Sequence, residues 1–120
     1  MNENDREWFV NLMDELQHDI NRQASDNGFW PHTVAGDTQF VLPSKIALMH
    51  SELSEALEAI RAGNITDDKV TTMPGALVEM ADCVIRIMDV CGAMHWSLGE
   101  AILAKHAYNK TRPYKHGKSF

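Results

Sequence analysis

Apolar residues recur along most of this chain at three- and four-residue spacings, and no segment alternates with a period of two. That rhythm predicts amphipathic helices and no strand. The first helix is expected from about Asn4 to Asn27, with Trp8, Phe9, Leu12, Met13, Leu16 and Ile20 on one face and Gly28 as its stop. A Gly/Pro-punctuated connection, "GFWPHTVAGDTQFVLP", follows. A loop of that length tends to be functional or flexible. Ser44, after Pro43, suits the N-cap of a second helix reaching Ala62, which Gly63-Asn64 would end. Beyond the polar connector "NITDDKVTTMPG", Pro74 can open a third helix that runs to Met94. Its apolar face would be Leu77, Met80, Ala81, Val84, Ile85 and Met88. Ser97 and Glu100 form a capping box for a fourth helix to Lys110, and Pro113 and Gly117 end regular structure. The expected architecture is a single all-α domain, a four-helix bundle: residues 1–43 as N-terminal helix and loop, 44–110 as core helices, 111–120 as a basic tail.

Composition narrows the classes. A chain of 120 residues fits one domain. No stretch approaches the roughly 18 apolar residues of a membrane span, and the polar "MNENDREWFV" start is not a secretory signal. Cys83 and Cys91 are too far apart on one helix to pair. They read as free thiols of a reducing cytoplasm, the alternative being a disulfide between subunits. The net charge of −6 conceals an asymmetry, because every acid lies at or before Glu100 while Lys105, Lys110, Arg112, Lys115 and Lys118 follow it. An acidic body with a basic tail excludes the dominant basic surface of a duplex-DNA binder and suits a small, highly charged anion. A solvated basic terminus is the plainer alternative.

The acids are where chemistry enters. Glu52 and Glu55 lie three apart on the second helix, and Glu79 and Asp82 repeat the spacing on the third. Residues three apart on a helix are neighbours, and like charges there repel. Both pairs border an apolar face, with small residues such as Ala56 and Ala59 beside the first. If the two helices pack antiparallel, four carboxylates converge. Such a group must hold protons or a cation. Oxygen ligands without thiolate or imidazole favour Mg²⁺, with Mn²⁺ as a substitute, and Mg²⁺ commonly completes its shell with substrate phosphates. There is no Glu-x-x-His of a di-iron bundle and no H-E-x-x-H. Solvated acid pairs are the competing reading. Arg86 is expected to pair with Asp82 or Asp89, Asp89 to continue the acidic stripe, and Glu58 to be a surface acid.

"KIALMHSELSEALEAIRAG", "VEMADCVIRIMDVCG" and "AILAKHAYNKTRPYKHGK" resemble the MazG-like branch of the all-α nucleoside triphosphate pyrophosphohydrolases, a likeness covering about Lys45 to Lys118. The superfamily is marked by E-x-x-E on one helix and E-x-x-D on the next, here Glu52, Glu55, Glu79 and Asp82. The resemblance implies Mg²⁺-dependent hydrolysis of (deoxy)nucleoside triphosphates to monophosphate and pyrophosphate, as house-cleaning of the nucleotide pool. It makes those four acids metal ligands, with Glu52 and above all Glu55 at the attacking water. It assigns the phosphates to Lys105, Asn109, Arg112 and Lys118. From the region of Phe29, Trp30 and His32 and from the first helix, it nominates His18 and Trp30 for the base. Trp8 and Trp96 are assigned to packing, and His95 to the end of the third helix. A non-catalytic nucleotide- or metal-binding regulatory module is the second reading. No nucleic-acid polymer or membrane is expected as partner. Helices with apolar residues on more than one side point to a homodimer or homotetramer.

Overall fold

The computed structural model describes residues 1–31 and 40–120. His32 lies outside the described residues. The chain forms helices α1 (Glu3–Asp26), α2 (Val41–Arg61), α3 (Gly75–Met94) and α4 (Leu98–Lys110), then a short 3-10 turn at Tyr114–Gly117. No strand occurs among the described residues, where a lone bridge joins Thr66 to Pro74. No described helix is long and apolar enough to cross a membrane.

The helix ends follow local chemistry. Asn2 caps α1 by accepting from the Asp5 amide at 2.8 Å, and Ser97 caps α4 by accepting from Glu100. Gly28, with φ +84°, and Gly63, with φ +96°, close α1 and α2 in the left-handed conformation. In both closures the amide of the residue after the glycine bonds back to an orphan carbonyl, Phe29 to Ala24 and Asn64 to Ala59. The start of α2 departs from expectation. It begins four residues early, at Val41, with Phe40 at the cap position. Pro43 then sits in the first turn, where a missing N–H leaves no carbonyl unpaired. Ser44 is therefore not the cap, and its hydroxyl donates to the Phe40 carbonyl at 2.8 Å.

Helix α3 is central, with α2 packed along it, α1 against it from another side, and α4 held mainly by α1. Small residues allow the closest approaches. A Cβ on Gly75 would meet the Ala59 Cβ at 3.5 Å, and one on Gly92 would come within 2.5 Å of the Gln17 carbonyl and 2.8 Å of the Asn21 Cβ. Gln17 is itself buried and ties α1 to the α3–α4 turn. Its amide donates to the Trp96 carbonyl at 2.6 Å, and its side-chain oxygen accepts from the Leu98 amide at 3.4 Å.

These polar anchors set helix rotations that the apolar pattern does not predict. The buried apolar set is Ala56, Ala76, Cys83, Met88, Val90 and Cys91. Of the face expected on α3, Leu77, Met80, Val84 and Ile85 are exposed in the single chain, as are Leu12 and Leu16 on α1. Trp8 and Trp96 do not pack inside either, being 65% and 53% exposed.

Candidate functional site

The register of the α2–α3 pair assembles the acids. Ala59 meets Gly75, and in an antiparallel pair each step back along α2 is matched by a step forward along α3. Four steps bring Glu55 opposite Glu79, and seven bring Glu52 opposite Asp82. Carboxylate oxygens of Glu52, Glu55 and Glu79 accordingly lie within 4.8 Å of one another. Asp82 falls outside that trio but lines the same cleft as Glu52, Arg86 and Asp89. Glu52 is buried, Glu79 and Asp82 are partly buried, and Glu55 is open to solvent.

Among the described residues one cation bonds directly to these acids. The Arg86 Nε donates to Glu52 Oε1 at 2.8 Å, so Arg86 spans the helix pair and does not take Asp82 or Asp89 as its partner. Burial pushes Glu52 upward, but the Arg86 hydrogen bond and charge, with hydrogen bonds shared with Glu79 and Glu55, hold its carboxyl below the ordinary value. Glu79 has no such partner. Burial, then the hydrogen bonds and charges of Glu52 and Glu55, raise it to about 7. Asp82 is also raised, by burial and by the Glu52 charge, with Arg86 opposing. Near neutral pH Glu79 therefore still holds a proton part of the time, and a divalent cation would displace it.

The cleft lined by Glu52, Asp82, Arg86 and Asp89 has a volume of about 260 Å³, and Ile20, Ala24, Phe29 and Ile85 form its apolar side. Asp89 is buried too and is bound up in the protein. It accepts from the Trp30 indole N–H at 2.8 and 3.0 Å and from the Asn21 amide at 2.9 Å. Lys45 completes this wall, with its ammonium 4.4 Å from the centre of the Trp30 ring and bonded to the Phe29 carbonyl at 2.7 Å. Lys45 and Asn21 were not singled out from the sequence. A signal existed for Lys45, which lies seven positions before Glu52 and so shares its helical face.

The remaining candidates are placed elsewhere. His18 is exposed and lines a different cleft with Asp14, His95 and Ser97. Lys105, Asn109, Arg112 and Lys118 belong to α4 and the tail, and none of them lines the acid cleft. Lys105 and Arg112 both approach the Tyr108 ring, at 4.7 and 5.8 Å. Among the described residues no acid pairs with Lys105, Arg112 or Lys118, and the Asn109 side-chain oxygen is buried without a donor. Glu58 pairs with Arg61 at the surface, as a solvated acid should. Cys83 and Cys91 are buried free thiols.

Comparison with known proteins adds no relative: no family model, no curated protein and no solved structure matches this chain.

Proposed function

We propose that this protein is a divalent-metal-dependent nucleoside triphosphate pyrophosphohydrolase of the MazG-like all-α type, working in a reducing cytoplasm. The observation that carries the reading is the convergence of Glu52, Glu55 and Glu79 from two helices within 4.8 Å, with Asp82 beside them. Four acids against one guanidinium leave a negative site built from hard oxygens. That donor set fits Mg²⁺ or Mn²⁺ better than a soft metal. Glu52, Glu55 and Glu79 would hold the ion, with Asp82 directly or through water, and the ion would supply charge for a phosphoryl oxygen and an acidified water.

The chain's own groups would do the rest. Glu55, the solvent-facing member of the trio, would orient a water at the α-phosphorus and take its proton. The new O–P bond forms as the bond to the β-phosphate oxygen breaks, which yields the monophosphate and pyrophosphate. Arg86 keeps Glu52 ionised and fixed. Lys105, Asn109, Arg112 and Lys118 would grip the phosphates, since charge-assisted bonds from Lys and the Arg fork orient a polyanion and stabilise the departing charge. They would reach the acids from another subunit of a homodimer or homotetramer. Trp30 stands by the cleft wall for the nucleoside, whereas His18 would need a neighbouring subunit.

Pyrophosphate release from a panel of deoxy- and ribonucleoside triphosphates, with and without Mg²⁺, tests this. The expected result is metal-dependent turnover that Glu55→Gln abolishes while the variant keeps its helical content. Near-normal rates in that variant would remove Glu55 from the role. A second reading, a regulatory module that binds nucleotide or metal without turnover, draws on the separation of the basic tail from the acids. Binding without pyrophosphate release from any triphosphate would favour it.

A further inference from the structure

Phe29 combines two properties that pull in opposite directions. Its side chain is 65% exposed, yet the backbone beneath it is held from three helices. The Phe29 amide donates to the Ala24 carbonyl of α1 at 3.0 Å, in the closure that the left-handed Gly28 permits. The Phe29 carbonyl accepts from the Lys45 ammonium of α2 at 2.7 Å. Helix α3 holds the next residue, because the Trp30 indole N–H donates to the buried Asp89 carboxylate, which Asn21 also engages. An apolar ring left in water forgoes the free energy of burial, and fixing its backbone costs conformational entropy. Packing of that ring within the chain offsets neither loss. A ring both fixed and exposed is a contact preorganised for a ligand.

The ring stands where such a ligand would lie. Phe29 lines the same cleft as Glu52, Asp82 and Arg86, with Ile20, Ala24 and Ile85 completing the apolar side. A molecule seated there would meet a flat apolar surface with one part and the acidic oxygens with another. Trp30 is employed differently. It is half-buried and does not line the cleft. Its one donor is taken by Asp89, and the Lys45 ammonium covers its ring at 4.4 Å.

We propose that Phe29 is the residue on which the nucleotide's base stacks, and that Asp89 is a positioning residue that holds the Phe29–Trp30 segment in place for it. This assignment rests on the nucleotide reading of the acid cleft and sharpens it, since the ring contact passes from Trp30 to Phe29. A phenyl ring offers a π face and no hydrogen-bonding group, so the contact accepts every base. Selection among bases must then come from other groups.

Titration calorimetry of the full chain in Mg²⁺ tests this with two kinds of probe. One is the set of α,β-imido deoxynucleoside triphosphates, which resist cleavage at the α-phosphorus, and the other is inorganic tripolyphosphate, which has no base. Phe29→Ala should weaken every imido analogue by roughly 5- to 150-fold and leave tripolyphosphate affinity unchanged, whereas Phe29→Tyr should retain the wild-type affinities. Because Phe29 is exposed, its replacement spares the core, and circular dichroism checks that the helices persist. Asp89→Asn should also weaken the analogues, but should add nothing in the Phe29→Ala background, since its effect passes through that ring. Analogue affinity unaltered by Phe29→Ala would overturn the proposal and leave the hydrolase reading intact. Equal weakening of tripolyphosphate, in either variant, would overturn it too, by reducing the segment to a structural wall. A wild-type chain that binds no analogue would sink both readings. Binding that obeys the expected pattern without turnover would sustain Phe29 and Asp89 while removing the enzyme.

Discussion

Replacing Glu79 with Gln tests the acid cluster without any assumption about substrate. Glu79 carries a proton up to about pH 7 in the folded protein, well above the ordinary carboxylate range. The difference from 4.5 corresponds to about 3 kcal/mol between its two protonation states. Glu79 is only partly buried, so solvent screening reduces the recoverable part to about 1–2 kcal/mol. The sign follows from linkage. Between the unfolded value and about 7 the folded chain keeps a proton that the unfolded chain has lost, so stability declines as pH rises through that window. In EDTA, Glu79→Gln should therefore match the wild type near pH 4 and exceed it near pH 8, by about 4–8 °C in thermal midpoint. Millimolar Mg²⁺ should reverse the order, because the ion stabilises the wild type by binding the folded state and the variant has lost a ligand. Differential scanning calorimetry at the two pH values, with EDTA or Mg²⁺, reads both effects. A variant no more stable than wild type near pH 8 in EDTA, or one with an undiminished Mg²⁺ response, would refute a crowded metal-binding trio.

Arg86→Met leaves the buried Glu52 carboxylate without its cation; it should lower stability by about 1–3 kcal/mol in EDTA, and Mn²⁺ should restore part of the loss in a thermal melt. Gly92→Ala places a methyl against the Gln17 carbonyl and Asn21; chemical denaturation should show a loss of about 1–3 kcal/mol. Lys105→Ala should weaken triphosphate binding in titration calorimetry while leaving the Mg²⁺-dependent rise in melting temperature unchanged. An unaltered affinity would make Lys105 a solvated surface residue.

Most of the fold was legible because helix signals are local. Ser97 at an N-terminus, and Gly28 and Gly63 at C-termini, act on groups within a few residues of themselves. The E-x-x-E and E-x-x-D spacings likewise ensure that each acid pair shares a helical face wherever its helix packs. Even the close α2–α3 approach was visible, in Ala56 and Ala59. The early start of α2 escaped because Phe40 supplies no side-chain cap to betray it.

What the sequence determined by itself was therefore the set of helices, their ends apart from the start of α2, and the facing of each acid pair along its own axis. Only tertiary structure decided the partners. Arg86 reaches across to Glu52 in preference to a neighbour on its own helix, and Asp89 is held by Trp30 and Asn21 from another segment. The rotation of α1 is tied to the buried Gln17. These contacts join residues tens of positions apart, and their energies depend on register and burial that no local pattern encodes.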